Sequence, residues 1–374
     1  MMRDCPLSYG RQCCDTVMKI PAEKLPPAGG FHYHQGVCLM GMQKIYECCG
    51  NPDYYRYIKE WVDSVLSPAG VPKKYHEKHF DDLMPGMLLF QLYDKEGDEK
   101  YKKALDLLVS RLSGWSRNSK GGFWHKEDET PNQVWLDGLF MYGPLAVNYA
   151  ARWNRPEFFD LVAQQIDIMW DNMRDAKTGL LKHAWDPTGR AEWADSETGL
   201  SPEFWGRAMG WYCVALAEIY EQMPARYQKG IAEKEQMLIE ALVKYQKKED
   251  GMWYEVLDKN ERSDNWPEMS CSCLFLYSIC KAVRLGMADD SYLEQAKVCY
   301  DGVISMLETN EAHDLIVGHV CIGTGVGDYS YYINRPTSEN DLHGIGAFLY
   351  MISEAEKIHK ICEKEQDTSN KKKG

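Results

Sequence analysis

The chain has 374 residues, a formal net charge of -13 at pH 7 and a hydrophobic content of 44%. That acidity argues against a nucleic-acid binder, which needs a basic face to neutralise phosphates, and no apolar run approaches a membrane span or a secretory signal. The 13 cysteines make an odd count with adjacent pairs such as Cys13-Cys14 and Cys48-Cys49, so no disulfide framework is expected and a reducing cytoplasm is the predicted location.

In chain order the apolar periodicity predicts helices over Leu7 to Ile20, Gly36 to Cys49, Tyr54 to Leu66, Met84 to Tyr93, Glu99 to Leu112 and Asp137 to Trp153. Further helices are predicted over Glu157 to Met173, Trp205 to Tyr220, Ala225 to Tyr245, Met269 to Val283, Ser291 to Leu307 and Leu342 to Ile358. They alternate in character. The stretches from Gly36, Met84, Asp137, Trp205, Met269 and Leu342 are apolar almost all round and carry small residues such as Gly41, Gly210 and Gly346, as helices buried on every side do. Their partners keep a polar face: in "YYRYIKEWVDSVL", Tyr54, Ile58, Trp61, Val62 and Val65 form the apolar stripe while Arg56, Lys59, Glu60 and Asp63 face water. The helix from Leu7 is left to pair with the last inner stretch. An open stack of such hairpins would need polar caps at its ends, which are absent, so the expected fold is an all-α (α/α)6 barrel, a closed double ring of six inner and six outer helices. No linker interrupts the series, so residues 1–362 read as one domain and 363–374, "EKEQDTSNKKKG", as a disordered tail.

The connections leading into inner helices are long and aromatic, whereas those leading out, such as "GNPD" and "EGDE", are short. The long loops must therefore gather at one end of the ring, and loops of this length in a compact domain are usually functional. Turn glycines followed by alternating aromatics, as in Gly179 to Trp185 and Gly251 to Tyr254, predict short hairpins on that rim. Trp124, Trp135, Trp185, Trp193, Trp205, Trp211, Trp253 and Trp266 lie in or beside these loops, an arrangement suited to stacking against sugar rings; any one of them is as readily a core residue.

Asp137, in "VWLDGLFMYGP", is the leading candidate for chemistry: partial desolvation beside Trp135 is expected to raise its pKa and keep a proton on it, although capping the following helix is an equally ordinary use of an aspartate. Asp81 and Asp82 in "HFDDLMPG" occupy the equivalent place one hairpin earlier, and Asp341 in "NDLHG" shows the same usage at the last inner helix. His32, His34, His125, Lys126, His183 and Arg207 supply positive and hydrogen-bonding groups to the same face. The spacing of these residues fits no zinc, calcium or nucleotide pattern, so no metal and no cofactor is expected.

In this order, "HYHQG", "GGFWHK", "WLDGL", "HAWD", "ETGLSPEFWGRAMGWY", "RSDNW" and "NDLHGIGAF" resemble the unsaturated rhamnogalacturonyl hydrolases of glycoside hydrolase family 105, over nearly the whole chain from His32 to Phe348. The resemblance implies an (α/α)6 barrel and hydration of the double bond between C-4 and C-5 of a non-reducing-end uronate left by a polysaccharide lyase, so the expected partner is a small oligosaccharide with an unsaturated uronate. It also implies catalytic roles for Asp137 and Asp81, and substrate contacts from Tyr33, His125, Lys126, Trp135, His183, Trp205, Arg207 and Trp211. Arg207 is the expected grip on the uronate carboxylate, through two parallel hydrogen bonds. Three readings stand beside this one: an unsaturated glucuronyl hydrolase acting on glycosaminoglycan or ulvan fragments, a sugar 2-epimerase relying on a histidine pair, and a non-catalytic glycan-binding toroid. The sequence leaves the oligomeric state and the second sugar open.

Overall fold

The computed structural model describes the backbone over residues 5–373 and the side chains to residue 364. The chain opens with α1 (Pro6–Val17) and then lays down α2 (Tyr33–Cys49), α3 (Pro52–Val65), α4 (Met87–Glu96), α5 (Glu99–Ser113), α6 (Gly138–Trp153) and α7 (Glu157–Met173). It continues through α8 (Gly206–Gln222), α9 (Ala225–Leu242), α10 (Met269–Arg284), α11 (Leu293–Ser305), the short α12 (Tyr329–Ile333) and α13 (Leu342–Lys373).

Sequence character decides the layer each helix joins. Every residue of α2 from Gln35 to Ile45, and of α8 from Gly206 to Ala217, is buried, whereas α3 buries only the stripe Tyr54, Tyr57, Ile58, Trp61, Val62 and Val65. The inner ring runs α2, α4, α6, α8, α10, α13 and back to α2, with the 3-10 turn Met84–Gly86 carrying much of the contact of α4 with α2 and α6. On the outside α3, α5, α7, α9 and α11 each pack on the inner helix they follow, and α1 packs on α13 as the left-over pairing requires. The molecule is an (α/α)6 barrel.

The ring closes through missing side chains. A Cβ on Gly41 would stand 3.0 Å from the Gly346 carbonyl oxygen, and one on Gly346 would stand 2.7 Å from the carbonyl of Val37, so α2 and α13 meet backbone to backbone. Short outward connections follow from left-handed residues just past the inner helices: Gly50 (φ 68°), Gly97 (φ 65°) and Asn154 (φ 50°).

The long inward loops share one rim and pair across it. Strand β1 (Val134–Trp135) is antiparallel to β2 (Ala184–Trp185), β3 (Glu308–Thr309) to β4 (Leu315–Ile316), and β5 (Val320–Cys321) to β6 (Thr337–Ser338). The hairpin expected over Gly179 to Trp185 forms: Gly179 (φ 81°) closes a tight turn that bridges Arg174 to Leu181, and Trp185 pairs both with Leu200 of its own loop and with Val134 of the preceding one. Likewise Gly251 closes a turn while Tyr254 bridges to Pro267. Neighbouring loops, brought together by the ring, offer backbone partners that a single loop cannot.

The boundary drawn at 362 falls inside the last helix. The helical backbone of α13 continues through Lys373, past the boundary drawn at 362, because Glu, Lys and Gln extend a helix that the barrel has already nucleated. Side chains from 365 onward, and all of Gly374, lie outside the described residues. All 13 cysteines are free thiols, and no described helix is long and apolar enough to cross a membrane.

Candidate active site

The loop-rich end holds a cluster of buried polar groups whose bonding is incomplete. Leu136 donates its N–H to the His183 carbonyl at 2.8 Å, which sets Asp137 and His183 side by side at the entry to α6. Asp137 occupies the capping position, yet its backbone is already helical (φ -65°, ψ -21°) and its carboxylate makes no capping hydrogen bond. The capping explanation therefore fails. Asp137 Oδ1 is buried without a hydrogen-bond partner and faces His183 Nε2 at 3.7 Å, itself buried and unpartnered. At that separation the two face each other without a hydrogen bond.

His125 flanks the pair. Its ring lies parallel to Trp135 with centroids 4.5 Å apart, its Nδ1 is unpartnered, and its Nε2 is 3.7 Å from Asp81 Oδ1. Gly138 permits this placement, since a Cβ there would come within 3.1 Å of His125 Nδ1. Asp81 faces this cluster with its side chain 16% exposed, whereas the adjacent Asp82 is buried and accepts the His76 N–H at 2.7 Å. Burial pushes the Asp82 carboxyl up to about 7.

Asp137 does not follow the expectation of a raised pKa. Burial drives it upward, but His183 and His125 outweigh that drive and hold the carboxyl below its ordinary range. Burial lowers His183, with Asp137 opposing, so its imidazole is neutral near pH 7. His183 Nδ1 lies 2.6 Å from the hydroxyl of Tyr332, which accepts the Gly327 N–H at 3.3 Å. With a carboxylate facing Nε2, the ring proton belongs on Nε2 and Tyr332 donates to Nδ1.

Tyr33 reaches the same space from the start of α2, half-buried, and hydrogen-bonds His343 at the start of α13. Trp205 stacks on Tyr332 with centroids 6.0 Å apart and donates to Glu255 Oε1 at 2.9 Å. Trp135 is half-buried and meets His183 edge-on. Lys126 lies beside His125, with its ammonium 2.9 Å from Glu129.

Two expected contacts sit differently. Arg207 is buried, and its terminal nitrogens donate to the carbonyls of Cys321 and Ile322, with Glu268 at 4.0 Å. Its fork thus grips the loop that follows β5 rather than pointing two free donors into the cluster. Trp211 is 2% exposed, stacked on Phe140 at 4.3 Å and edge-on to Tyr350, so it forms part of the inner-ring packing. Sequence reasoning missed Tyr332, His343, Glu255 and Glu268. His343 stood inside the string "NDLHG", but nothing local distinguishes Tyr332 among the tyrosines of "YSYYI".

Among the described residues no group of three or more His, Cys, Asp or Glu side chains is arranged to hold a metal ion. What the cluster offers is a carboxyl, two imidazoles and a phenol amid aromatic rings, a set suited to moving protons on a polar, ring-shaped ligand.

Comparison with known proteins extends this. The family model described as Glycosyl Hydrolase Family 88 matches residues 11–359. A solved glycoside hydrolase from family 105 of C. acetobutylicum ATCC 824 is 33% identical, with a TM-score of 0.89 over 93% of this chain and 99% of that one. The unsaturated rhamnogalacturonyl hydrolase YesR of Bacillus subtilis is 26% identical over 244 residues, 63% of this chain and 66% of that protein. The unsaturated glucuronyl hydrolase of Bacillus sp. GL1, responsible for the degradation of glycosaminoglycan, shares the fold at 15% identity, with a TM-score of 0.67 over 92% of this chain and 96% of that one.

Proposed function

Because the chain belongs to glycoside hydrolase family 105, among the unsaturated-uronide hydrolases that the family 88 model covers, we propose that its substrates are short rhamnogalacturonan fragments with a 4,5-unsaturated galacturonate linked to rhamnose. The observation that carries the chemistry is the unpartnered Asp137 carboxyl beside the unpartnered His183 Nε2, in a wall of Trp135, Trp205 and Tyr332. The enol ether of an unsaturated uronate is electron-rich at C-4. Asp137 delivers a proton there, positive charge develops at C-5 and the ring oxygen, and the carboxylate left behind stabilises it. Water adds at C-5, and the hemiketal opens and releases the neighbouring sugar. One acid on the double bond replaces the pair of carboxyls that flank the scissile bond in ordinary glycosidases. Sequence similarity to YesR supports the rhamnose-linked substrate.

The test follows the ultraviolet absorbance of the unsaturated uronate during incubation with galacturonyl-rhamnose and glucuronyl disaccharides bearing the double bond. Faster loss with the first is expected. Preference for the second would move the assignment to glycosaminoglycan or ulvan fragments, and no loss with either would end it. Asp137→Asn keeps the shape but has no proton to give, so its kcat is expected to fall on the order of a hundredfold to ten-thousandfold. Near-normal turnover by the folded variant would remove Asp137 as the acid.

A further inference from the structure

The tautomer of His183 is set by a residue 149 positions away. Its Nδ1 lies 2.6 Å from the hydroxyl of Tyr332, and its Nε2 faces Asp137 Oδ1 at 3.7 Å. Tyr332 is fully buried, and burial pushes its phenol well above the ordinary range, so the hydroxyl keeps its proton. The Gly327 N–H already occupies one lone pair of that oxygen at 3.3 Å. Were the imidazole proton on Nδ1, the Tyr332 hydroxyl would accept twice and its own buried hydrogen would lose the ring as acceptor, while a bare lone pair on Nε2 faced the carboxylate. With Tyr332 donating to Nδ1, the one proton of the neutral ring stands on Nε2, the atom that faces Asp137.

We propose that Tyr332 is a positioning residue for the proton transfer to C-4: it holds His183 as an Nε2–H donor towards Asp137 Oδ1, so that the transferable proton rides on Oδ2. This rests on the hydration reading given above. The π pair of the C-4/C-5 bond takes the Oδ2 proton, and the carboxylate left behind is met at Oδ1 by a donor already in place. His183 gives up no proton in this step. Contraction of the 3.7 Å separation to hydrogen-bond length as charge grows on the carboxylate favours the transition state over the ground state, which is what accelerates a step. The water that then adds at C-5 returns one proton to Asp137, so the cycle consumes none.

The fold delivers Tyr332 on a segment fastened at both ends. Arg207 donates to the carbonyls of Cys321 and Ile322, Arg335 donates to the Gly323 carbonyl and to Thr324 Oγ1, and the Trp266 indole donates to the Ile333 carbonyl at 3.2 Å. Asp328 Oδ1 accepts the Tyr331 N–H at 2.8 Å at the head of α12, and Trp205 stacks on the Tyr332 ring. The other titratable and charged groups facing the Asp137–His183 pair are His125 from the loop before β1, with Asp81 beside it, Arg207 from α8 and Tyr33 from the start of α2. Burial raises the Asp137 pKa, and His183 followed by His125 brings it down, so weakening the His183 donor lets it rise.

Tyr332→Phe keeps the ring that Trp205 stacks on and removes only the hydroxyl. In the full chain it is expected to leave KM nearly unchanged and to lower the plateau of kcat on the order of tenfold. The alkaline limb of its kcat/KM profile moves to higher pH, because Asp137, less well supported as a carboxylate, holds its proton further into base. A merely structural loss lowers the profile without moving that limb. In a His183→Gln background, whose amide brings its own N–H, Tyr332→Phe is expected to cost nothing further. Nitrogen NMR of the histidine side chains reads the tautomer without substrate. The wild-type His183 signals, assigned by their loss in His183→Gln, should show a protonated Nε2 and a bare Nδ1 at neutral pH, and the Nδ1 shift should move in Tyr332→Phe. A proton on Nδ1 in the wild type, or an unmoved alkaline limb in the folded Tyr332→Phe variant, would overturn the assignment. Failure of the wild-type protein to consume any unsaturated uronide would overturn the hydration reading and the proton transfer with it, and the nitrogen spectra would still decide whether Tyr332 sets the tautomer.

Discussion

Asp137 shows how a single residue is governed by opposed influences. In the free protein His183 and His125 prevail over burial and keep the carboxyl ionised, so at neutral pH it is not yet an acid. An unsaturated uronide brings a negative charge and excludes water, and both raise a neighbouring carboxyl pKa. The profile of kcat/KM reports the free enzyme and that of kcat the complex. The alkaline fall of kcat is therefore expected at higher pH than that of kcat/KM, and coincident limbs in the two profiles would show that substrate does not load the proton. Asp137 was legible in the sequence because it stands in "WLDG" at the head of an apolar helix. Its surroundings were not, since Tyr33 and His343 are 310 positions apart and His183 and Tyr332 are 149 apart, and no local spacing records a meeting made by ring closure. What the Arg207 fork meets was hidden for a related reason. The position of an arginine in a helix can be read from sequence, but the carbonyls of a loop more than a hundred residues later that occupy it cannot.

At the scale of the element, the layer assignment was read well because helices buried all round and helices with one polar face differ in composition. The loops were read in part: hairpins that close within one loop leave a local signal, whereas the pairing of Val134 with Trp185 and of Trp205 with Val256 joins loops that only the ring brings together. One outer helix breaks the layer rule. Glu235 of α9 is fully buried with neither carboxyl oxygen hydrogen-bonded, and burial raises its pKa well above the carboxylate range. Folding must hold a proton there that the unfolded chain releases above its ordinary carboxyl pKa, so this site loses stability as pH rises from that value towards the folded one. Glu235→Leu removes an unsatisfied polar group and is expected to stabilise the protein by about 1–3 kcal/mol near neutrality. Denaturant melts at several pH values check the sign: the gain should shrink towards acid, and a gain independent of pH would mean that Glu235 is not the titrating group.

For the whole molecule, the meeting of Gly41 and Gly346 makes the barrel a loop of contacts without a first or last hairpin. In an open stack the terminal repeats fray, and amide exchange there is faster than at the centre. A circle has no such ends: releasing any one hairpin breaks two inner contacts at once, whichever hairpin it is. Slow amide protons of α2 and α13 are accordingly expected to exchange with the same opening free energy as those of α8, on the far side of the ring. Hydrogen exchange in mild denaturant measures this directly, and earlier release of α2 or α13 would mark the seam as weaker than the rest. Because Asp341, His343 and Tyr33 lie across that seam, the same experiment reports how long their contacts stay assembled: if the circle opens only as a whole, they persist for as long as the fold does.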